Sequence, residues 1–262
     1  MSRQRDAEGW RTGWASRLFI PPVAALQFLT LAPPVVHRRF ASEEMGRAVA
    51  YFPLVGALLG GLLGGLYWGL AHLFAPHVSS ALVLATSVVA TGALHLDGFL
   101  DACDGILGGY TPESRLDIMR DERVGAFGLA GGVLLLLLKF AALSAVPNRV
   151  VALLLALTLA RWGIALAIVL FPYARPDGLG RAMKEHAGWK QIALATATAL
   201  VVSWLGGHGL GLVAMALAGA TAWIVARFVL RRVPGLTGDT YGAISETVEC
   251  IILLFLSTGV KL

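Results

Sequence analysis

Seven long apolar stretches, each near the length needed to cross a lipid bilayer, dominate this sequence. A helix needs ~20 residues to span a hydrocarbon core of ~30 Å. The chain is 57% hydrophobic and only 14% charged, with a mean hydropathy of +0.73, which excludes an ordinary soluble domain. We predict an all-α, polytopic membrane helical bundle of about seven transmembrane helices, within a range of six to eight. The predicted spans are 47–74, 78–94, 126–146, 149–171, 191–205, 209–230 and 243–259.

The connections between these spans are too short to form a soluble domain, and no internal repeat typical of two-halved transporters is visible. We therefore expect a single membrane-embedded domain over 1–262. It would consist of a cytoplasmic or interfacial N-terminal segment, 1–46, and a helical bundle, 47–262. The longer cytoplasmic loops are predicted at 95–125, 172–190 and 231–242.

The N-terminal segment is rich in arginine and then apolar, as a secretory signal would be. Its apolar part is interrupted by four prolines, and no small-residue cleavage site follows; the prolines are Pro21, Pro22, Pro33 and Pro34. We therefore predict that the segment is retained. The stretch from Trp10 to Leu31 mixes arginines with aromatic and aliphatic residues, which indicates an interfacial helix in the headgroup layer.

Lysine and arginine are distributed asymmetrically between the two sides of the predicted bundle. With seven spans, one side carries the basic N-terminal segment and loops, and the other keeps only Arg149 and Lys261. The positive-inside rule places the basic side in the cytoplasm. The net charge of +5 therefore describes a belt at the membrane surface, whose partners would be anionic lipid headgroups or a phosphate-bearing substrate. With no nucleic-acid module in the sequence, we predict no nucleic-acid partner.

Residues 95–105, HLDGFLDACDG, place three aspartates within eight positions at the end of an apolar stretch. Asp97, Asp101 and Asp104 are spaced four and three apart, so on a helix they share a sector of ~60°. One charge at the centre of a bilayer costs ~2.5–3.5 kcal/mol on insertion scales. A cation among the three carboxylates would relieve this cost, and Mg²⁺ commonly joins carboxylates to substrate phosphates. We predict that these three aspartates bind Mg²⁺ or Mn²⁺.

Two other interpretations of this motif stay open. His95 and Cys103 could bind zinc, although on a helix Cys103 is rotated ~160° from Asp101 and ~140° from Asp104. The motif could also be a solvated acidic loop, because its glycines are typical of loops. Glycine, however, also lets backbone and ligand approach closely.

Further charged residues on the same side suit a phosphate site. Residues 119–128, MRDERVGAFG, contain Arg120 and Arg123 one helical turn apart. Arginine binds phosphate oxygens bidentately, whereas pairing with nearby carboxylates on a wet surface is the alternative. We favour Arg123, since Arg120 is more easily explained by such pairing.

The stretch LTGDTYGAISETVE, residues 236–249, adds Asp239 in a glycine-bounded turn and Glu246 and Glu249 at the start of the last span. A charge that stabilises the helix dipole would account for one of these acids but hardly for three. We expect this stretch and the HLDG motif to meet around the same metal. Inside the spans, Lys139 and Arg161 are functional candidates by location, although Lys139 could also pair or snorkel. Together these residues indicate phosphoryl transfer, in which catalysis is chiefly positioning and charge neutralisation.

At HLDGFLDACDG, IMRDERVGAFG and LTGDTYGAISE the sequence closely resembles the cobalamin synthase family, the adenosylcobinamide-GDP ribazoletransferases. The stretches ALQFLTLAPP (25–34) and YFPLVGALLG (51–60) resemble the family's N-terminal pattern, and the resemblance extends from about residue 20 to the end. It implies an enzyme of the bacterial inner membrane that requires Mg²⁺. Such an enzyme joins α-ribazole, or its 5′-phosphate, to the corrinoid of adenosylcobinamide-GDP and releases GMP.

The resemblance also implies roles for individual residues. Asp97, Asp101 and Asp104 would bind the metal and the diphosphate. His95, or one of the carboxylates, would accept the hydroxyl proton. The catalytic candidates are His95, Asp104, Arg123, Asp239 and Glu246, and the substrate-binding candidates are Arg123, Arg161, Lys184 and Asp239.

Two other functions remain as alternatives. A CDP-alcohol phosphotransferase also carries spaced aspartates, but its pattern places Ala-Arg after the Asp-Gly pair, and here Asp101 and Asp104 come too soon. A cation-coupled transporter would place its acidic residues near the midplane in broken helices, whereas here they cluster at one surface. The sequence leaves open which base the substrate carries and whether the chain forms a homo-oligomer.

Overall fold

The computed structural model describes residues 14–259, and side chains from residue 18 onward. The described chain is all-α, with one short 3₁₀ turn and no strand, which confirms the predicted fold class. The predicted start of the N-terminal helix, at Trp10, lies outside the described residues. The helices are α1 Trp14–Leu29, α2 Ser42–Ala48, α3 Phe52–Leu70, α4 Pro76–Ala90, α5 Leu94–Gly108, α6 Pro112–Ile118, α7 Ala126–Ala145, α8 Arg149–Leu170, α9 Leu179–His186, α10 Trp189–Leu230 and α11 Gly238–Ser257.

Within the described part of the chain, five helices are long and apolar enough to cross a membrane. Helices α4 and α5 form a sixth candidate span, which is bent by 87° at the break between them. Glycine and alanine make this bend: Gly92 and Ala93 both adopt positive φ, 59° and 56°.

Helix α10 is two spans rather than one. Its 42 residues are interrupted at His208, whose backbone is not helical. A Cβ added to Gly211 would lie 1.9 Å from the carbonyl oxygen of Ser203, although residues eight apart are ~12 Å apart along a straight helix. The chain therefore folds back at residues 206–209, between the predicted spans 191–205 and 209–230. Counting the arms 189–207 and 209–230 separately, and the bent pair as one, gives seven candidate spans among the described residues.

Helix α8 forms the centre of the bundle. Leu155, Leu157 and Leu159 are completely buried, and α8 packs against α3, α10 and α11. Helix α3 approaches closely through small residues: a Cβ at Gly56 or Gly60 would lie 2.4 or 2.6 Å from a carbonyl oxygen of α8. Close approach of backbones through small residues is how membrane helices gain van der Waals contact.

The segments predicted as loops contain helices. Residues 95–125 include α5 and α6, and 172–190 includes α9. The aspartates therefore lie on a helix, and the interpretation of the motif as a solvated loop is wrong. Its glycines serve close packing instead: a Cβ at Gly98 would lie 3.0 Å from the backbone of Asp239 in α11. In the N-terminal segment, helix α1 contains Pro21 and Pro22 and does not end at either of them.

Candidate active site

A cavity of about 570 Å³ opens at the end of the bundle where α5, the α8–α9 connection and the start of α11 meet. We call it the site cavity. Its charged wall consists of Asp97, Arg120, Arg175, Asp177 and Asp239. The remainder of its lining is largely apolar or aromatic and includes Phe28, Phe52, Ile164, Ile168, Tyr173, Met183 and Tyr241.

Two glycines bring α5 and α11 together beside this cavity. Gly98 of α5 faces the backbone of Asp239, and a Cβ at Gly242 of α11 would lie 2.8 Å from the carbonyl oxygen of His95. Any side chain at either position would push the helices apart. The structure therefore brings the HLDG and LTGD segments into direct contact, as the sequence predicts, although they are about 140 residues apart.

Asp239 lies in the first turn of α11 and is paired with Arg175. Arg175 Nη2 lies 2.7 Å from Asp239 Oδ2, and the hydroxyl of Thr237 donates to the same oxygen at 3.2 Å. The Thr237 hydroxyl also caps α11 by accepting from the backbone N–H of Thr240. The Nε atom of Arg175 is buried and has no hydrogen-bond partner within residues 14–259, and the residue lines the site cavity.

The connection that carries Arg175 is held onto the start of α11 by backbone hydrogen bonds. Leu236 N donates to Pro172 O, and Ala174 N donates to Leu236 O, each at 2.8 Å. Tyr173 stacks on Tyr241 with ring centroids 6.0 Å apart. Burial raises the pKa of the Tyr173 hydroxyl, so it remains protonated near neutral pH and can donate a hydrogen bond.

The three aspartates of α5 have different environments. Asp97 is exposed and lines the site cavity, and Asp101 is half-buried. Asp104 is buried and accepts hydrogen bonds from the backbone N–H groups of Gly125 and Gly128, each at 2.8 Å. Asp104 therefore binds the N-terminal end of α7 and lies beside a separate shallow depression rather than the site cavity.

The residues fit a divalent cation in part. Among the described residues, no three metal-ligating side chains lie close enough to form a complete metal site. Asp97 and Asp239 line one cavity, and Asp101 lies within Coulombic range of both; all three offer the oxygen ligands that Mg²⁺ prefers. Asp104 fits less well because both its oxygens already accept N–H groups.

The zinc interpretation gains no support from the packing of α5. A Cβ added at Gly131 of α7 would lie 2.9 Å from Cys103 Sγ, whereas the backbone of His95 lies against Gly242 of α11. The two residues therefore face different neighbouring helices.

Glu246 and Arg161, both predicted as site residues, belong to a buried ion network away from the cavity lining. Lys139 binds Glu246 and, at 2.9 Å, Glu249, and Arg161 Nη1 lies 3.1 Å from Glu249. All four side chains are buried. Two cations and two anions neutralise one another there, which explains how these charges are tolerated inside an apolar bundle.

Arg123 and Lys184 also lie outside the lining of the site cavity. Arg123 pairs with Asp121 at 2.6 Å, its side chain is 88% exposed, and its hydrogen bonds lower the pKa of Asp121 to about 2. Lys184 donates to the carbonyl of Val169 at 2.9 Å, and burial lowers the pKa of its amine.

The arginines at the cavity are instead Arg120 and Arg175. The sequence interpretation ranked Arg120 below Arg123 and did not single out Arg175. The available signal for Arg175 was its place directly after an apolar span and before the Pro-Asp-Gly turn at 176–178.

Fold and site together define a multi-pass helical membrane protein with a carboxylate- and arginine-lined cavity at one end of its bundle. The chain belongs to the Cobalamin-5-phosphate synthase family, whose model it matches over residues 22–257. This membership confirms the resemblance carried by the three polar motifs. The CDP-alcohol phosphotransferase and transporter interpretations have no support beside it.

Curated relatives agree with this membership. An "Adenosylcobinamide-GDP ribazoletransferase" of Stutzerimonas stutzeri is 39% identical over 244 residues, covering 92% of this chain and 99% of the relative. Proteins of the same name from Desulforamulus reducens and Pseudomonas paraeruginosa are 36% and 40% identical, covering 90% of this chain and 95% and 96% of their own lengths. No solved structure matches this chain.

Proposed function

We propose that this protein is an adenosylcobinamide-GDP ribazoletransferase, the enzyme of the last stage of cobalamin assembly. It joins α-ribazole, or its 5′-phosphate, to adenosylcobinamide-GDP and releases GMP. Family membership over residues 22–257 is the observation that carries the proposal, and the charged wall of the site cavity is consistent with a diphosphate substrate. We place the protein in the bacterial inner membrane as one membrane-embedded domain, with the site cavity facing the cytoplasm.

The reaction exchanges the phosphoanhydride bond of a diphosphate for a phosphate ester bond. A ribose hydroxyl oxygen attacks the phosphorus nearest the corrinoid and forms a new P–O bond. The bond from that phosphorus to the bridging oxygen breaks, and its electron pair leaves with GMP. The hydroxyl proton passes to a base on the protein.

The residues at the cavity suit these tasks. Arg175 and Arg120 would neutralise the diphosphate, because a guanidinium binds phosphate oxygens bidentately. The N-terminus of α11 beside Asp239 adds a partial positive charge. Asp97, Asp101 and Asp239 would hold Mg²⁺. When bound, Mg²⁺ neutralises the charge that develops on the departing phosphate.

The proton acceptor would be His95 or one of the carboxylates. His95 lines the cavity, and its Nδ1 is buried with no partner among the described residues. Asp97 is exposed at the same cavity and is the carboxylate alternative. Glu246 is less suited to the role because it is occupied by Lys139.

The test is GMP release by the purified protein in lipid nanodiscs, supplied with adenosylcobinamide-GDP, α-ribazole and Mg²⁺. We expect GMP to form only when both substrates are present. An Asp97→Asn variant should serve as the inactive control, since the amide keeps the shape of the side chain and removes its charge. A correctly folded sample that forms no GMP would contradict the proposed function.

The metal assignment has a separate test that does not depend on activity. With Fe²⁺ in place of Mg²⁺, ascorbate and peroxide should generate hydroxyl radicals that cut the backbone near 97–104 and near 237–246. Excess Mg²⁺ should protect both segments. Cleavage confined to one segment would show that the two do not share a metal.

A further inference from the structure

The size of the site cavity constrains which substrate can enter it. Ligand pockets of ~300–1,000 Å³ enclose compact, drug-sized molecules, and the site cavity has a volume of about 570 Å³. A flat base joined to one ribose is a molecule of this kind. A corrin macrocycle with its amide side chains, an axial nucleoside and a GDP group is several times larger, and it cannot enter together with a second substrate.

We infer that the site cavity binds the nucleoside acceptor, a flat aromatic base carrying a ribose, and that the corrinoid nucleotide remains outside, presenting only its diphosphate at the charged wall. This inference rests on the proposed function and adds which substrate each part of the site receives.

The aromatic lining is the second observation in favour of a nucleoside. Phe28 stacks on Phe52 with centroids 5.9 Å apart, and Tyr173 stacks on Tyr241 at 6.0 Å; all four residues line the cavity. Aromatic rings favour offset stacking or edge contact with another flat ring. The corrin periphery carries many amides, which would lose hydrogen bonds to water against such a surface.

Two polar atoms of the cavity wall lack a partner, and this is the third observation. Tyr241 Oη and His95 Nδ1 are buried, with no hydrogen-bond partner within residues 14–259, and the two residues are only 5% and 4% exposed. Buried polar groups are normally satisfied. Ribose hydroxyls and a ring nitrogen offer donors and acceptors of the kind that these two atoms lack.

The arrangement also orients the acceptor for the reaction. If the base lies against the aromatic lining, the ribose lies nearer the charged wall, which includes Asp97, Arg175 and Asp239. A ribose hydroxyl then meets the diphosphate at the mouth, where the carboxylates and arginines are. The apolar part of the cavity excludes water, which would otherwise compete with the hydroxyl as nucleophile.

The experiment reduces the volume of the site cavity by enlarging one side chain on each of two different walls. Ile164→Trp in α8 and Met183→Trp in α9 each add bulk at a buried lining residue. Leu170→Trp adds the same side chain to α8 at an exposed position outside the lining and is the matched control. GMP release is measured in nanodiscs while each substrate is varied separately.

We expect both lining variants to raise the KM for α-ribazole at least about tenfold and to leave the KM for adenosylcobinamide-GDP within about twofold, with the Leu170→Trp control unchanged. Tyr241→Phe keeps the aromatic ring and nearly the same volume and removes only the unpartnered hydroxyl. It is therefore the substitute test variant if the tryptophan variants do not fold. It should raise the KM for α-ribazole selectively. Equilibrium dialysis of α-ribazole without any corrinoid should show saturable binding that Ile164→Trp abolishes.

The two proposals fail in different ways. A wild-type protein that releases no GMP refutes the proposed function itself. Normal GMP release by the wild type, with a KM shift in the variants that falls on adenosylcobinamide-GDP or on neither substrate, refutes only the assignment of the cavity to the nucleoside.

Discussion

Replacing Asp104 by asparagine should lower the stability of the protein more than its catalytic rate. Both carboxylate oxygens accept backbone N–H groups at the start of α7, from Gly125 just before the helix and from Gly128 in its first turn, each at 2.8 Å. An asparagine keeps one acceptor and turns an NH₂ group toward the other N–H. Since a hydrogen bond to a charged group contributes ~1.5–3 kcal/mol, we expect the free energy of unfolding to fall by about 2 kcal/mol.

Thermal unfolding in nanodiscs measures this loss. A change of 1 kcal/mol shifts Tm by roughly 2–4 °C in chains of this size, so Asp104→Asn should lower Tm by about 4–8 °C. The Mg²⁺ concentration that gives half-maximal GMP release should stay within about threefold of the wild type. Asp97→Asn is the matched control. Because Asp97 is exposed on the same helix, the Tm of this variant should equal that of the wild type while its activity falls. The reverse result for Asp104→Asn, an unchanged Tm with a much higher Mg²⁺ requirement, would restore Asp104 as a metal ligand and refute the capping role.

Three further predictions, two of them with a control variant, test other parts of the structure. Arg175→Ala should lower kcat/KM for adenosylcobinamide-GDP by roughly 100-fold through loss of phosphate neutralisation. Arg123 is exposed, so Arg123→Ala should change kcat/KM less than about threefold. Equal effects of the two variants would contradict the placement of Arg175 at the site. Glu249→Ala leaves two buried cations without this partner and should lower the free energy of unfolding by ~3–5 kcal/mol, measured by thermal unfolding. A Tm equal to that of the wild type would show that the ion network is not formed. Gly98→Val should abolish GMP release because the added side chain separates α5 from α11. Gly61→Val is the control and should remain active, since an added Cβ at Gly61 meets nothing within 4 Å. An active Gly98→Val variant would mean that this helix contact is not needed.

The sequence by itself determined the membrane bundle and its approximate spans. Transfer of an apolar side chain from water into a bilayer is a local property that adds along a helix, so a window of ~20 residues is sufficient to recognise a span. The break between the predicted spans 191–205 and 209–230 was visible because glycines interrupt the apolar run there. The shared face of the three aspartates also followed from helix periodicity alone.

The sequence also indicated that the HLDG and LTGD segments belong to one site, because each places carboxylates beside glycines on the same predicted side of the membrane. It could not assign a task to each charge. The role of a carboxylate depends on which donor reaches it, and those donors come from other helices.

Tertiary structure alone decided how the charges are divided. Asp104 became the cap of α7 because α5 packs against α7 and places Asp104 beside Gly125 and Gly128. Glu246 pairs with Lys139, which is 107 residues away along the chain, and Arg175 pairs with Asp239, which is 64 residues away. Opposite charges in an apolar bundle must find partners, and which partners are within reach is fixed by helix packing, which no local pattern in the sequence encodes.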